Sequence, residues 1–191
     1  MVVPNRPREV PMAERTLASE MAYSGRLISL RVDDVILANG HHARREIVEH
    51  PGAVVILAWD GERLAVVRQW RQAAGMTLLE VPAGTRDAGE EPAGSARREL
   101  AEEVGVTAAT WQSGPSFFSA PGFCTERLSL FLATDLSKTN DVASPEDEDL
   151  EASWLTLPEA LAAVDDGRIQ DAKSLVAIFW LARHLGRLTE S

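Results

Sequence analysis

The chain of 191 residues predicts an α/β fold: a mixed sheet with helices on its two faces, and an antiparallel strand extension at the N-terminus. Three observations carry this. Residues 53–59 (AVVILAW) are a continuous apolar run, broken at Asp60-Gly61 and resumed over 63–70, which reads as a central hairpin buried on both faces. Residues 92–104 repeat apolar side chains at helical spacing between a proline and a glycine. Two more helical stretches, 157–164 and 171–185, close the chain.

In chain order, residues 1–15 are polar and proline-rich and read as a flexible tail. Residues 16–44 form the β extension, and 45–191 the main domain. Within the extension, short apolar patches alternate with polar residues from Leu17 to Leu37. Asn39-Gly40 is a hairpin signal, with 45–49 as the return strand. The extension has little apolar mass of its own, so it is expected to pack on the main domain or on a second copy of the chain. Residues 78–81 are a short strand feeding a loop at Gly84. Beyond the first helix the next strands expected are 128–133 and one near Ser153-Trp154-Leu155, either side of the acidic run 144–149. In the last helix Leu175, Ile178, Phe179, Ala182 and Leu185 are expected on one buried stripe, and Trp70 and Trp111 in the core.

The stretch that organises the rest is 84–106, GTRDAGEEPAGSARRELAEEVGV. Pro92 suits a first helical turn, where a missing N–H costs nothing. Ala93, Ala96, Leu100 and Val104 make a narrow apolar stripe, and Gly105 fits a C-cap. At about 100° per residue, Glu99 and Glu103 lie about 40° apart along one edge of that stripe, and Glu102 about 60° further round. Like charges one turn apart repel. A divalent cation reverses the sign, because hard Mg²⁺ or Mn²⁺ takes oxygen ligands and can be clamped or bridged by such a pair. The plainer alternative is a solvated acidic face with Arg97 and Arg98 as its partners.

The spacing itself goes further. Gly84, five residues, Glu90, seven residues, Arg98-Glu99-Leu100, one residue, Glu102-Glu103, one residue and Gly105-Val106 match the Nudix box at every defined position. The chain therefore resembles Nudix hydrolases, and the resemblance implies an α/β/α sandwich over residues 45–186. It also implies that Glu99, Glu103 and the carbonyl of Ala83 bind metal, with Glu102 as a further ligand or a support. Glu90 and Arg98 would hold the loop against the helix. Two or three Mg²⁺ ions, with Mn²⁺ as an alternative, are the cofactors this implies.

Around the box the chain resembles the ADP-ribose pyrophosphatase subgroup, through Arg45-Glu46-Ile47-Val48-Glu49-His50-Pro51-Gly52, Arg68-Gln69-Trp70-Arg71, Leu79-Glu80-Val81-Pro82-Ala83-Gly84 and Ser119-Ala120-Pro121-Gly122-Phe123. Arg71 would pair with a diphosphate oxygen, or else be a solvated strand end. Arg45 would contact the nucleotide, reaching across a homodimer. Glu80 would bind metal or a ribose hydroxyl, or else pair with Arg68 or Arg71. A base for the attacking water would come from the acidic run, Glu148 first and Glu146 second, unless the run is only a solvated loop. The substrate implied is ADP-ribose, cleaved to AMP and ribose 5-phosphate. GDP-mannose, another nucleotide sugar, a dinucleoside polyphosphate, or a non-catalytic nucleotide sensor are the alternatives.

Composition bounds these readings. A net charge of −10 argues against nucleic acid and anionic membranes as partners, and means that an anionic substrate, such as the small nucleotide the resemblance implies, would need local arginines or metal to hold it. Cys124 stands alone, excluding an internal disulfide and pointing to a reducing, cytoplasmic setting. The first residues show no apolar signal region, and no apolar run reaches membrane-spanning length. The four histidines lack ligand spacing.

Overall fold

The computed structural model describes residues 13–87, 89–139 and 150–187. Most of the expected tail and the whole acidic run 144–149, with Glu146 and Glu148, lie outside them. The described residues fall into two compact units. One takes the chain up to His50 together with Ala120–Thr125, and the other takes Pro51–Ser119 and the chain from Glu126 onward.

The N-terminal unit is a three-stranded antiparallel sheet, β1 (Arg15–Ser24), β2 (Ser29–Ile36) and β3 (His42–Glu49), in that spatial order. Around Asn39-Gly40, Leu37 N–H donates to the His41 carbonyl at 2.8 Å and Gly40 N–H to that of Leu37 at 2.9 Å, so the turn sits where the dipeptide placed it. The return strand begins three residues earlier than the sequence suggested. Every residue of β1 is exposed, Leu17, Met21 and Tyr23 included. The loop Ala120–Thr125 is stitched to the end of β3, where Val48 N–H donates to Phe123 and Thr125 N–H to Val48.

The larger unit is built around β4 (Ala53–Ala58), whose six residues are all buried. Side chains of a strand alternate between faces, and here the alternation separates two cores. Ala53, Val55 and Leu57 join the cluster containing Leu130, Ile178 and Leu181, whereas Val54, Ile56 and Ala58 join the one containing Ala96, Leu100 and Phe131. The first core is covered by α2 (Leu157–Asp165) and α3 (Ala172–His184), the second by α1 (Pro92–Val104). Each fully buried leucine or isoleucine contributes about 1.5–3 kcal/mol to holding these layers. Strand β4 pairs in parallel with β9 (Arg127–Lys138) and antiparallel with β7 (Ala83–Thr85), and β8 (Val106–Phe118) flanks β9, giving a mixed sheet β7-β4-β9-β8. A second sheet, β10-β5-β6, joins β10 (Leu150–Thr156), β5 (Arg63–Arg71) and β6 (Met76–Glu80). The fold is the expected α/β sandwich with helices on two faces.

Four local expectations change. Residues 53–59 and 63–70 are not a paired hairpin. Asp60 closes the turn by accepting from the backbone N–H groups of Glu62 and Arg63, and Trp59 bridges Leu64. The strands then part, because both edges of β4 are taken by β7 and β9 and both edges of β5 by β6 and β10. Strand β8 was not expected at all. It is an edge strand rich in Thr, Ser and Ala, and Gly114-Pro115 falls in an irregularity of its register between Ser113 and Ser116, where a missing N–H is tolerated. On α3 the buried positions are Ser174, Ala177, Ile178, Leu181 and Ala182, while Phe179 is 44% exposed. Trp70 is also exposed, its indole N–H on Gln72, while Trp111 does pack edge-on against Phe131. Among the described residues no helix is long and apolar enough to cross a membrane.

Candidate active site

Helix α1 begins at Pro92 after Glu91 in extended conformation, and ends at Gly105 with φ 70°, a left-handed C-cap whose N–H donates to the Ala101 carbonyl. Its buried apolar positions, Ala96 and Leu100, clamp it on the second core and turn the Glu99–Glu103 edge, with Glu99 itself buried, toward β7. Ala83 N–H donates to Glu103 Oε2 at 3.0 Å. Gly84 packs so closely on the Glu99 carboxyl that a Cβ there would collide with Cδ and both oxygens. Two carboxylates one helical turn apart thus converge on two consecutive residues of β7, and the close approach of Glu99 leaves room for no side chain at the second.

Arg98 holds this acidic edge together. Its Nη1 donates to Glu99 Oε1 at 2.8 Å and Glu102 Oε2 at 3.0 Å, and its Nη2 to Glu90 Oε2 at 3.1 Å. Glu90 also accepts from the Ser95 hydroxyl at 2.7 Å and from Asp87 N–H at 3.3 Å. These bonds, the Arg98 one foremost, lower the Glu90 carboxyl to about 2, and the Glu90 bond is the main cause that raises Arg98. Glu90 and Arg98 thus sit at the junction of loop and helix. Arg97 leaves the acidic face and lies over the Trp111 ring.

Beside the loop opens a cleft of about 320 Å³, bordered by Ala83, Gly84 and Thr85 on one side and by Arg71, Asp171 and Lys173 on another. Arg71 ends β5, and its Nε and Nη2 donate to Glu80 Oε2 at 2.9 and 2.5 Å. Burial pulls the Arg71 guanidinium down, but its hydrogen bonds to Glu80 and the negative charges of Glu80, Glu103 and Asp171 together outweigh this and leave it raised. Of the two partners considered for Glu80 the structure pairs it with Arg71, and adds Lys173 at 3.2 Å from its other oxygen. Arg45 lies in the N-terminal unit, where Glu14 holds it through two hydrogen bonds and raises its pKa.

The donor set suits a hard divalent cation. It consists of carboxylate oxygens on one helix edge facing β7, whose backbone Glu103 already grips, with no sulfur or imidazole among them. Among the described residues no three His, Cys, Asp or Glu side chains close into a finished cage. Mg²⁺ characteristically keeps several waters and takes few protein ligands, so an open carboxylate edge fits it.

Comparison with known proteins agrees with this geometry. Residues 48–177 match the family model described as NUDIX domain. The chain belongs to the Nudix family. Residues 14–48 match a second model, a nucleoside diphosphate sugar hydrolase N-terminal domain. Among curated relatives, an ADP-ribose pyrophosphatase of Bacillus subtilis strain 168 is 42% identical over 89% of this chain and 93% of its own. A methanol dehydrogenase activator of Bacillus methanolicus is 41% identical over 88% and 92%. A crystal structure of an ADP compounds hydrolase superposes with a TM-score of 0.80 at 23% identity, covering 92% of this Nudix chain and 97% of that one, which shows the shared fold.

Sequence reasoning missed Asp171 and Lys173. They stand 88 to 93 positions from Glu80 and Ala83, so no local pattern joins them. The available signal was composition, since Lys173 is one of only two lysines in the chain.

Proposed function

We propose that this Nudix enzyme hydrolyses the diphosphate of ADP-ribose to AMP and ribose 5-phosphate. The observation that carries the reading is the convergence of Glu99 and Glu103 on Ala83-Gly84, at the rim of a cleft whose other wall presents Arg71. Identity of 42% with an ADP-ribose pyrophosphatase over most of both chains supports the substrate. Glu99, Glu103 and the Ala83 carbonyl would hold two or three Mg²⁺ (or Mn²⁺) ions, with Glu102 as a further ligand. When bound, the ions supply neutralisation of charge on the phosphoryl oxygens and a lowered pKa for the attacking water.

The chain's own residues do the rest. Arg98 keeps three carboxylates fixed at short range, so the acidic edge is preorganised before anything binds. Arg71, held by Glu80, presents its remaining guanidinium edge to a diphosphate oxygen. Glu148 accepts the proton of the attacking water, with Glu146 as the alternative base. This assignment rests on the family resemblance alone, since both residues lie outside the described ones.

Homodimerisation belongs to the same reading, with Arg45 reaching the partner's nucleotide. Its support is the wholly exposed β1, which carries Leu17, Met21 and Tyr23. A cytoplasmic setting is supported by the single cysteine.

A substrate panel with excess Mg²⁺ tests the reading: ADP-ribose, GDP-mannose, NADH and a diadenosine polyphosphate, with products resolved by chromatography. ADP-ribose is expected to be the best substrate. Preference for GDP-mannose would overturn the substrate assignment. Intact substrates with a nucleotide-raised melting temperature would make the protein a sensor.

A further inference from the structure

Two lysines stand among the nineteen basic residues of the chain, Lys138 and Lys173. Lys138 ends β9 in solvent. Lys173, in the first turn of α3, keeps only 15% of its side chain exposed and lines the cleft beside Ala83 and Gly84. Its ammonium lies 3.2 Å from Glu80 Oε1 and 2.9 Å from Asp171 Oδ2.

Both anchors are themselves fixed by the fold. Asp171 is the N-cap of α3, and its Oδ2 also accepts from Ser174 N–H at 3.1 Å. Glu80 ends β6 and is buried, with one oxygen on Lys173 and the other on Arg71. The next residue, Val81, donates its N–H to the Ser174 hydroxyl at 2.8 Å, tying that strand end to the same helical turn. Two cations therefore flank one buried carboxylate at the cleft wall. The charges of Arg71, Lys173, Glu80 and Asp171 cancel, so the cluster holds together while the cleft is open. Each cation keeps donors in reserve. An ammonium has three, of which two are engaged, and Arg71 uses only Nε and Nη2 on Glu80.

We propose that Lys173 is a second substrate-binding cation, which together with Arg71 grips a phosphate of a nucleoside diphosphate in this cleft, and that Glu80 is the positioning residue for both. The inference rests on the proposed function in that it takes the cleft as the diphosphate site. It gives Glu80 a different role from metal ligand or ribose acceptor, since both of its oxygens are engaged by cations. A compact ammonium suits a corner already lined by two carboxylates, where a planar guanidinium would need more room.

The test uses the full chain. With only two lysines, reductive methylation followed by mass spectrometry reads Lys173 against Lys138 as an internal control. ADP with Mg²⁺ is expected to slow methylation of Lys173 at least fivefold while leaving Lys138 unchanged. In parallel, Lys173→Met is expected to raise the KM for ADP-ribose about tenfold with kcat within about threefold. Lys173 labelled equally fast with and without ADP would overturn the proposal, and so would an unchanged KM in a folded Lys173→Met. If Lys173→Met fails to fold, the labelling of the wild-type protein decides alone. Wild-type protein inert toward ADP-ribose would refute the proposed function, whereas protection of Lys173 by ADP would still uphold the diphosphate site.

Discussion

Gly84→Ala separates the fold from the chemistry more cleanly than any other single change. The backbone of Gly84 is not in the left-handed region, so alanine is conformationally acceptable there. What alanine lacks is space. Its Cβ would fall on the Glu99 carboxyl, and that group would have to retreat by about 1.5 Å to restore an ordinary carbon–carbon contact of about 3.5 Å. The obstacle is the far end of a flexible side chain, so the collision is relieved by rotating Glu99 away and breaking its 2.8 Å bond to Arg98. Loss of one such charge-assisted bond costs about 1.5–3 kcal/mol. Replacing a glycine returns about 0.4–1 kcal/mol through the unfolded chain. The melting temperature should therefore fall by only a few degrees. Turnover should fall much further, because a displacement of about 1 Å in a reacting constellation costs about 100-fold. The assay is initial rate against Mg²⁺ concentration, with a thermal melt of the same preparation. A folded Gly84→Ala with wild-type kcat and an unchanged Mg²⁺ requirement would refute the placement of Glu99 in the site.

Three further outcomes follow from the same geometry. Glu103→Gln keeps an oxygen that can accept from Ala83 N–H but removes the charge, so it should stay folded and lose at least about 100-fold in kcat; rates and a melt check this. Glu90 is lowered to about 2 from an ordinary 4.5, so the stability it contributes is complete above about pH 4.5 and disappears as pH falls toward 2. Wild-type and Glu90→Gln melting temperatures should accordingly differ at pH 6 and converge by pH 2, and a constant gap would contradict the ion pair. Ser174→Ala strands the buried Val81 N–H and should cost about 1–3 kcal/mol by denaturant unfolding, against no change if that bond is unimportant.

How much of this was legible beforehand depended on how local the determining physics is. Helix α1 could be read whole, because Pro92, the stripe through Leu100 and the Gly105 cap all act within one or two turns. The apolar continuity of β4 gave its double burial, but not its partners, since pairing with β9 is settled some seventy residues away. That is why residues 53–70 looked like a hairpin. Strand β8 was invisible because an edge strand need not be apolar, and its Gly-Pro step imitates a loop. In the site, the pairing of Glu99 with Glu103 came from helical spacing, and the roles of Arg98 and Glu90 from the resemblance to the Nudix box. Arg71 and Glu80 came from resemblance, and the structure supplied their pairing. Lys173 and Asp171 reach the cleft only through docking of α3, which no local pattern encodes.

Where the water attacks is the measurement that bears most directly on the account. Wild-type protein, ADP-ribose and Mg²⁺ in ¹⁸O-labelled water should yield equal amounts of AMP and ribose 5-phosphate, with one ¹⁸O on the phosphate of one product. Release of ADP and free ribose, or products with no ¹⁸O in either phosphate, would contradict hydrolysis at the diphosphate.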